Sequence, residues 1–122
     1  MRMIYIAVFG LIGIFFRYYL HTIIPKYLVS PFPYSTFLIN IVGAFTIGAV
    51  YIMATERVVF SSDLKLGIMV GLLGGFTTFS SFCLDTVELI EHAEYLNAFL
   101  YVFLSNVLGF GATFFAITLM RT

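Results

Sequence analysis

Nine consecutive residues, Gly74-Gly75-Phe76-Thr77-Thr78-Phe79-Ser80-Ser81-Phe82, carry most of the chemistry open to this chain. Two adjacent glycines loosen a helix, four hydroxyls add donors and acceptors, and three phenylalanines interrupt them. The flanking runs are apolar enough for lipid. Lipid offers no partner to a freed backbone group. Helix-breaking, hydroxyl-rich backbone is tolerated at that depth only when buried in protein or lining a polar path. The stretch therefore points to something held at, or crossing, mid-membrane.

Other polar residues sit in similarly apolar surroundings. Asn40 lies inside Leu38-Ile39-Asn40-Ile41-Val42-Gly43. A buried amide is costly without a partner; its two N–H donors suit an anion, and a helix–helix hydrogen bond suits it equally. Phe79 and Phe82 are three residues apart and share a helix face, with Ser80 and Ser81 beside them. Ring edges are electropositive, so an anion can pass along them while hydroxyls replace its water. If the helix breaks at Thr77-Thr78, the carbonyls of Gly74 and Thr77 lose their donors. A monovalent cation would satisfy them, as would threonine hydroxyls and neighbouring helices. Tyr101 and Ser105 are four apart on one face. Asn106 and Thr113 read as helical residues bonding back to their own backbone. Arg17 is either a snorkelling cation or a source of positive potential at a pore mouth. Asp85 and Glu88 close the third span, where they either cap a pathway or form a solvated helix end.

The elements that position these residues follow from composition. The 122 residues are 61% hydrophobic and 10% charged, with net charge zero. Soluble domains carry about 25% charged residues, so this is an integral membrane protein. Zero net charge argues against nucleic acid as a partner. A single cysteine, Cys83, excludes an intrachain disulfide. A span needs about 20 mostly apolar residues. The spacing predicts four: Ile4 to Ile24, ending before Pro25-Lys26; Tyr34 to Thr55; Leu64 to about Ile90, broken at its middle; and Ala98 to Met120. The whole chain, 1–122, reads as one four-helix transmembrane domain. Gly10, Gly13, Gly43, Gly48, Gly109 and Gly111 allow close helix approach within or between subunits, and a two-fold dimer is the simplest assembly. With the N-terminus inside, Arg2, Arg57, Lys65 and Arg121 are cytoplasmic against Arg17 and Lys26 outside, a modest positive-inside bias. No nucleophile–base pair, paired-carboxylate site or phosphate loop is visible, so an enzyme is not expected.

Three motifs together resemble the small bacterial fluoride channel family (Fluc, also called CrcB). They are Gly10-Leu11-Ile12-Gly13 followed by Arg17-Tyr18, Thr36 to Phe45 around Asn40, and Gly74 to Phe82. Ser81, Ala44 and Asp85 depart from the usual Thr, Ser and Glu. The resemblance implies an antiparallel, dual-topology dimer in the bacterial plasma membrane, with two narrow pores at the subunit interface. The partner would be a second copy or a paired homologous chain. By the same resemblance, Asn40, Phe79 and Phe82 line a fluoride path, and Ser80, Tyr101 and Ser105 form its polar track. Carbonyls of Gly74 and Thr77 would hold a structural sodium, and Arg17 would sit at the vestibule.

The expected function is passive, selective fluoride export. A proton-coupled small multidrug exporter has the same size but needs a first-helix carboxylate. Ile4 to Ile24 contains none. A non-transporting accessory subunit is the remaining alternative.

Overall fold

The computed structural model describes residues 1–122. Its helices are α1 (Arg2–Tyr27), α2 (Tyr34–Thr55), α3 (Ser62–Leu66), α4 (Leu73–Phe76), α5 (Phe79–Glu91) and α6 (Tyr95–Arg121), with a π-helical stretch Gly67–Leu72 joining α3 to α4. There are no strands. Four segments are long and apolar enough to cross a membrane: α1, α2, Ser62–Glu91 and α6. The protein is thus an all-helical, multi-pass membrane protein.

The ends of these segments have local causes. Pro33 precedes α2 at φ −80°, close to the angle its ring imposes, and its carbonyl accepts from Phe37 N–H at 3.1 Å. Ser61 Oγ accepts from Leu64 N–H at 3.2 Å, so the third segment starts at Ser62, slightly before the expected Leu64. The first span was expected to stop before Pro25, yet α1 runs through Pro25 to Tyr27. A proline so near a helix end removes one hydrogen bond, and Leu28 N–H still closes onto the Ile24 carbonyl at 2.9 Å. The last helix likewise begins at Tyr95 rather than Ala98, where Glu94 O accepts from Ala98 N–H at 2.9 Å.

Lipid tails are as apolar as leucine, so small residues and backbone proximity hold membrane helices together. Here α1 lies against the π-helical stretch and α4, while α2 lies against α6. A Cβ at Gly71 would stand 2.7 Å from the Ile6 carbonyl, and one at Gly75 would stand 2.7 Å from the Gly10 carbonyl. A Cβ on Gly13 would overlap the Leu72 carbonyl. Glycines thus bring α1 and the first half of the third segment together backbone to backbone. On the other side, a Cβ at Gly48 would stand 2.6 Å from the Thr113 carbonyl. At one end, Phe32, Leu89, Ala98 and Tyr101 form a buried cluster that Phe37 and Phe82 extend.

Candidate functional site

The site is built around two residues that do not continue the helix. Thr77 (φ −87°, ψ 161°) and Thr78 (φ −151°, ψ 121°) are extended between α4 and α5. Threonine hydroxyls offer backbone groups an alternative to the helical ladder. Thr77 Oγ1 donates to the Leu73 carbonyl at 2.8 Å. Thr78 caps α5, its Oγ1 accepting from Ser81 N–H at 3.2 Å. Thr78 Oγ1 also lies 3.1 Å from Ser81 Oγ and 3.3 Å from Ser80 Oγ.

Extended backbone here needs partners, and α2 supplies them. Asn40 Nδ2 donates to the Thr78 carbonyl at 2.9 Å, and Asn40 Oδ1 accepts from Thr78 N–H at 2.9 Å. One carboxamide therefore satisfies both backbone groups of one residue, a stand-in for a missing helical turn. Gly43 makes the approach possible, because a Cβ there would overlap the Thr77 methyl. In an unbroken α-helix, Thr78 N–H would reach the carbonyl of Gly74. Its diversion to Asn40 leaves that carbonyl without its helical donor. Arg17 Nε donates to the next carbonyl, that of Gly75, at 3.0 Å.

A cavity of about 410 Å³ adjoins this region. Asn40, Gly74, Thr77, Thr78, Phe79 and Phe82 line it from α2 and the third segment, and Ser105, Asn106 and Thr113 from α6. Its remaining wall is apolar, including Ile47 and Met69. The Phe79 and Phe82 rings are 5.9 Å apart with planes at 41°. Phe82 leans on Tyr101 at 4.9 Å, whereas Phe79 is 76% exposed, with Gly74 and Ser80 also facing outward. The chemistry is that of a mixed groove, with amide and hydroxyl side chains beside an apolar wall that includes two phenylalanine rings, and it is open where Gly74 and Phe79 are exposed.

Not every sequence-selected residue meets there. Asn40, Phe79, Phe82, Ser105, Gly74 and Thr77 border the cavity. Ser80 is joined to it through Thr78 Oγ1. Tyr101 stands behind Phe82, fully buried, with its hydroxyl donating to Asp85 Oδ2 at 3.0 Å. Arg17 lies on the far side of α4, at Gly75. Asp85, read from sequence as a pathway cap or part of a solvated helix end, thus has a buried partner. Thr113, read as bonding to its own helix, instead donates from Oγ1 to the Ala44 carbonyl of α2 at 2.6 Å. The small residues Ala44 and Gly48 opposite it were the available signal. Asn106 follows the expectation, donating to its own Val102 carbonyl at 2.7 Å. No group of three or more His, Cys, Asp or Glu side chains is placed to hold a metal.

Fold and site define a helical multi-pass membrane protein with a polar, aromatic-lined groove among its spans. The family described as "CrcB-like protein, Camphor Resistance (CrcB)" matches residues 4–117, and the chain belongs to it. A relative from Geotalea uraniireducens (strain Rf4), "Fluoride-specific ion channel FluC", is 44% identical over 95 residues, covering 78% of this chain and 77% of the relative. Relatives of the same description come from Helicobacter pylori (strain P12) and Allorhizobium ampelinum. The first is 42% identical over 106 residues, covering 85% of this chain and 81% of its own. The second is 41% identical over 119 residues, covering 97% and 94%.

Proposed function

We propose that the chain is a fluoride-selective channel, passing the ion out of the cytoplasm down its electrochemical gradient. The carrying observation is the agreement of relatives at 41–44% identity, each described as a fluoride-specific channel, with a groove bordered by the Asn40 amide, the Ser105 hydroxyl and phenylalanine rings. Fluoride enters cells as neutral HF, dissociates and is trapped. An inside-negative potential then expels it, at about 2.3 kcal/mol per charge per 100 mV. No energy source is required of the protein, and it is not proposed to be an enzyme.

In this reading Asn40, Phe79, Phe82, Ser80 and Ser105 form the path, and Tyr101 acts on it from behind by bracing the Phe82 ring. Asn40 supports it because only one Nδ2–H is spent on Thr78, leaving the second for an anion. Selectivity comes from dense donors in a narrow gap that replace a strongly held hydration shell. The outward exposure of Gly74, Phe79 and Ser80 supports a partner on that face. We take the partner to be an antiparallel second copy, or a paired homologous chain, closing the groove into a pore. The third span then counts as one helix interrupted at Thr77-Thr78. Carbonyls of Gly74 and Thr77 suit a structural sodium, since the Gly74 carbonyl has lost its helical donor. Two carbonyls are a sparse set, so the second chain would supply a matching pair. When bound, the ion would offset the negative ends of these carbonyls and tie the interrupted segments together.

The test is fluoride efflux from liposomes containing only this purified chain, beside a chloride control. Fluoride efflux without chloride efflux is expected, and Phe79→Ile or Phe82→Ile should slow it about tenfold or more, equivalent to about 1.4 kcal/mol at the barrier. Unchanged efflux from a folded Phe79→Ile, Phe82→Ile double variant would remove the aromatic path.

A further inference from the structure

We propose that Arg17 is a positioning residue, a clasp on the end of α4, rather than a free charge that attracts anions at a pore mouth. This deepens the channel reading and rests on it only for the flux measurements below. A helix leaves its last carbonyls without donors. At the end of α4 each of these is a separate problem. Leu73 O accepts from Thr77 N–H at 3.0 Å and from Thr77 Oγ1 at 2.8 Å. The donor that an unbroken α-helix would send to Gly75 O is Phe79 N–H, which lies beyond the extended pair. Arg17 Nε takes its place at 3.0 Å.

The placement of Arg17 is imposed by α1. Gly13, one turn earlier, lies backbone to backbone against Leu72 and Phe76, and Gly10 lies against Gly75. A side chain leaving that seam one turn later emerges beside the carbonyl end of α4. Arg17 is half-buried there, and it is neither of the two arginines that pair with a carboxylate. A cation at a helix C-terminus also meets the negative end of the helix dipole. Arg17 from α1 and Asn40 from α2 therefore grip the two sides of the same extended pair, at Gly75 O and at Thr78. A planar guanidinium holds such a carbonyl in a defined direction; a flexible ammonium does not.

The first measurement is hydrogen exchange at Arg17 Nε in the wild-type chain, labelled with ¹⁵N-arginine in lipid nanodiscs. Exchange about tenfold or more slower than at Arg57, whose contact to the Met120 carbonyl is made through Nη2, is expected for a clasp. Exchange as fast as at Arg57 would overturn it. The second is fluoride efflux from Arg17→Lys and Arg17→Gln at low and high ionic strength. A clasp predicts loss in both variants by a factor that salt leaves unchanged. An attracting charge predicts that Lys retains efflux and that the Gln deficit shrinks as salt screens the wild type; that pattern would overturn the proposal. If one variant does not fold, the other carries the same comparison. A wild-type chain without fluoride efflux would sink the channel reading, and the Nε exchange would still decide the clasp.

Discussion

The chain uses glycine in two opposite ways, and the third segment contains both. Toward α1, Gly71 and Gly75 press onto backbone, with no room for a methyl group beside Ile6 O or Gly10 O. One residue away, Gly74 is exposed, and a Cβ there would find nothing nearer than Met69 O at 3.9 Å. The last helix repeats the open case: a Cβ on Gly111 meets nothing within 4 Å. The same residue type thus marks a closed seam on one side and an unfilled face on the other. Closed glycines explain how the chain holds itself together. In the proposed assembly, the open ones face the second chain.

The sharpest way to break this contrast is Gly13→Ala. Its methyl would overlap the Leu72 carbonyl, which is backbone and cannot swing aside. We expect a loss of about 1–3 kcal/mol, measured as a lower thermal midpoint of the detergent-solubilised protein. A midpoint within error of the parent would mean that the seam is not closed.

Asn40→Ala probes the other side and should cost a comparable amount. It leaves Thr78 N–H and C=O without their partners, worth about 1–3 kcal/mol if no water replaces the carboxamide. Faster exchange of the Thr78 amide, with α6 amides unchanged, is the readout. Gly74→Ala should leave the stability of the single chain unchanged, because nothing stands in its way. If it weakens self-association in lipid, the open face is an interface. If both stability and association are untouched, that face has no partner.

The smallest effect lies outside the spans. Arg121 donates to both carboxylate oxygens of Glu56, at 2.6 to 3.2 Å, and thereby holds the Glu56 carboxyl below its ordinary value of 4.5. A depressed carboxyl contributes stability above its unfolded pKa, and that contribution is lost as pH falls through the lower folded value. The pair is solvent-exposed and screened, so the shift should be small. A thermal midpoint that falls slightly more in the parent than in Glu56→Gln on acidification below about pH 4.5 would show it.

How much was legible depends on the kind of residue. Apolar length alone located all four spans, since lipid demands it, and the second matched from Tyr34 to Thr55. Boundaries slipped where one local interaction decided them, at Pro25, Ser61 and Glu94. The π-helical stretch Gly67–Leu72, which lies against α1, is not part of the sequence reading. Of the candidate site, the residues of the Gly74–Phe82 motif, Asn40 and Ser105 were picked out as polar groups in apolar surroundings. The partners of Arg17, Asp85 and Thr113 were not, because each partner lies on another helix.

By its sequence alone this chain is a membrane protein of four spans, with its polar chemistry concentrated in Gly74–Phe82 and Asn40. Hydrophobic length and unusual polar residues are local properties, and the physics of lipid makes them decisive. Only the tertiary structure decided that Asn40 splints Thr78, that Arg17 reaches Gly75, and that Tyr101 pairs with Asp85. It also decided which glycines are closed. The reason is distance. A hydrogen bond acts only within about 3 Å, and which helix comes that near is set by the packing of all of them together.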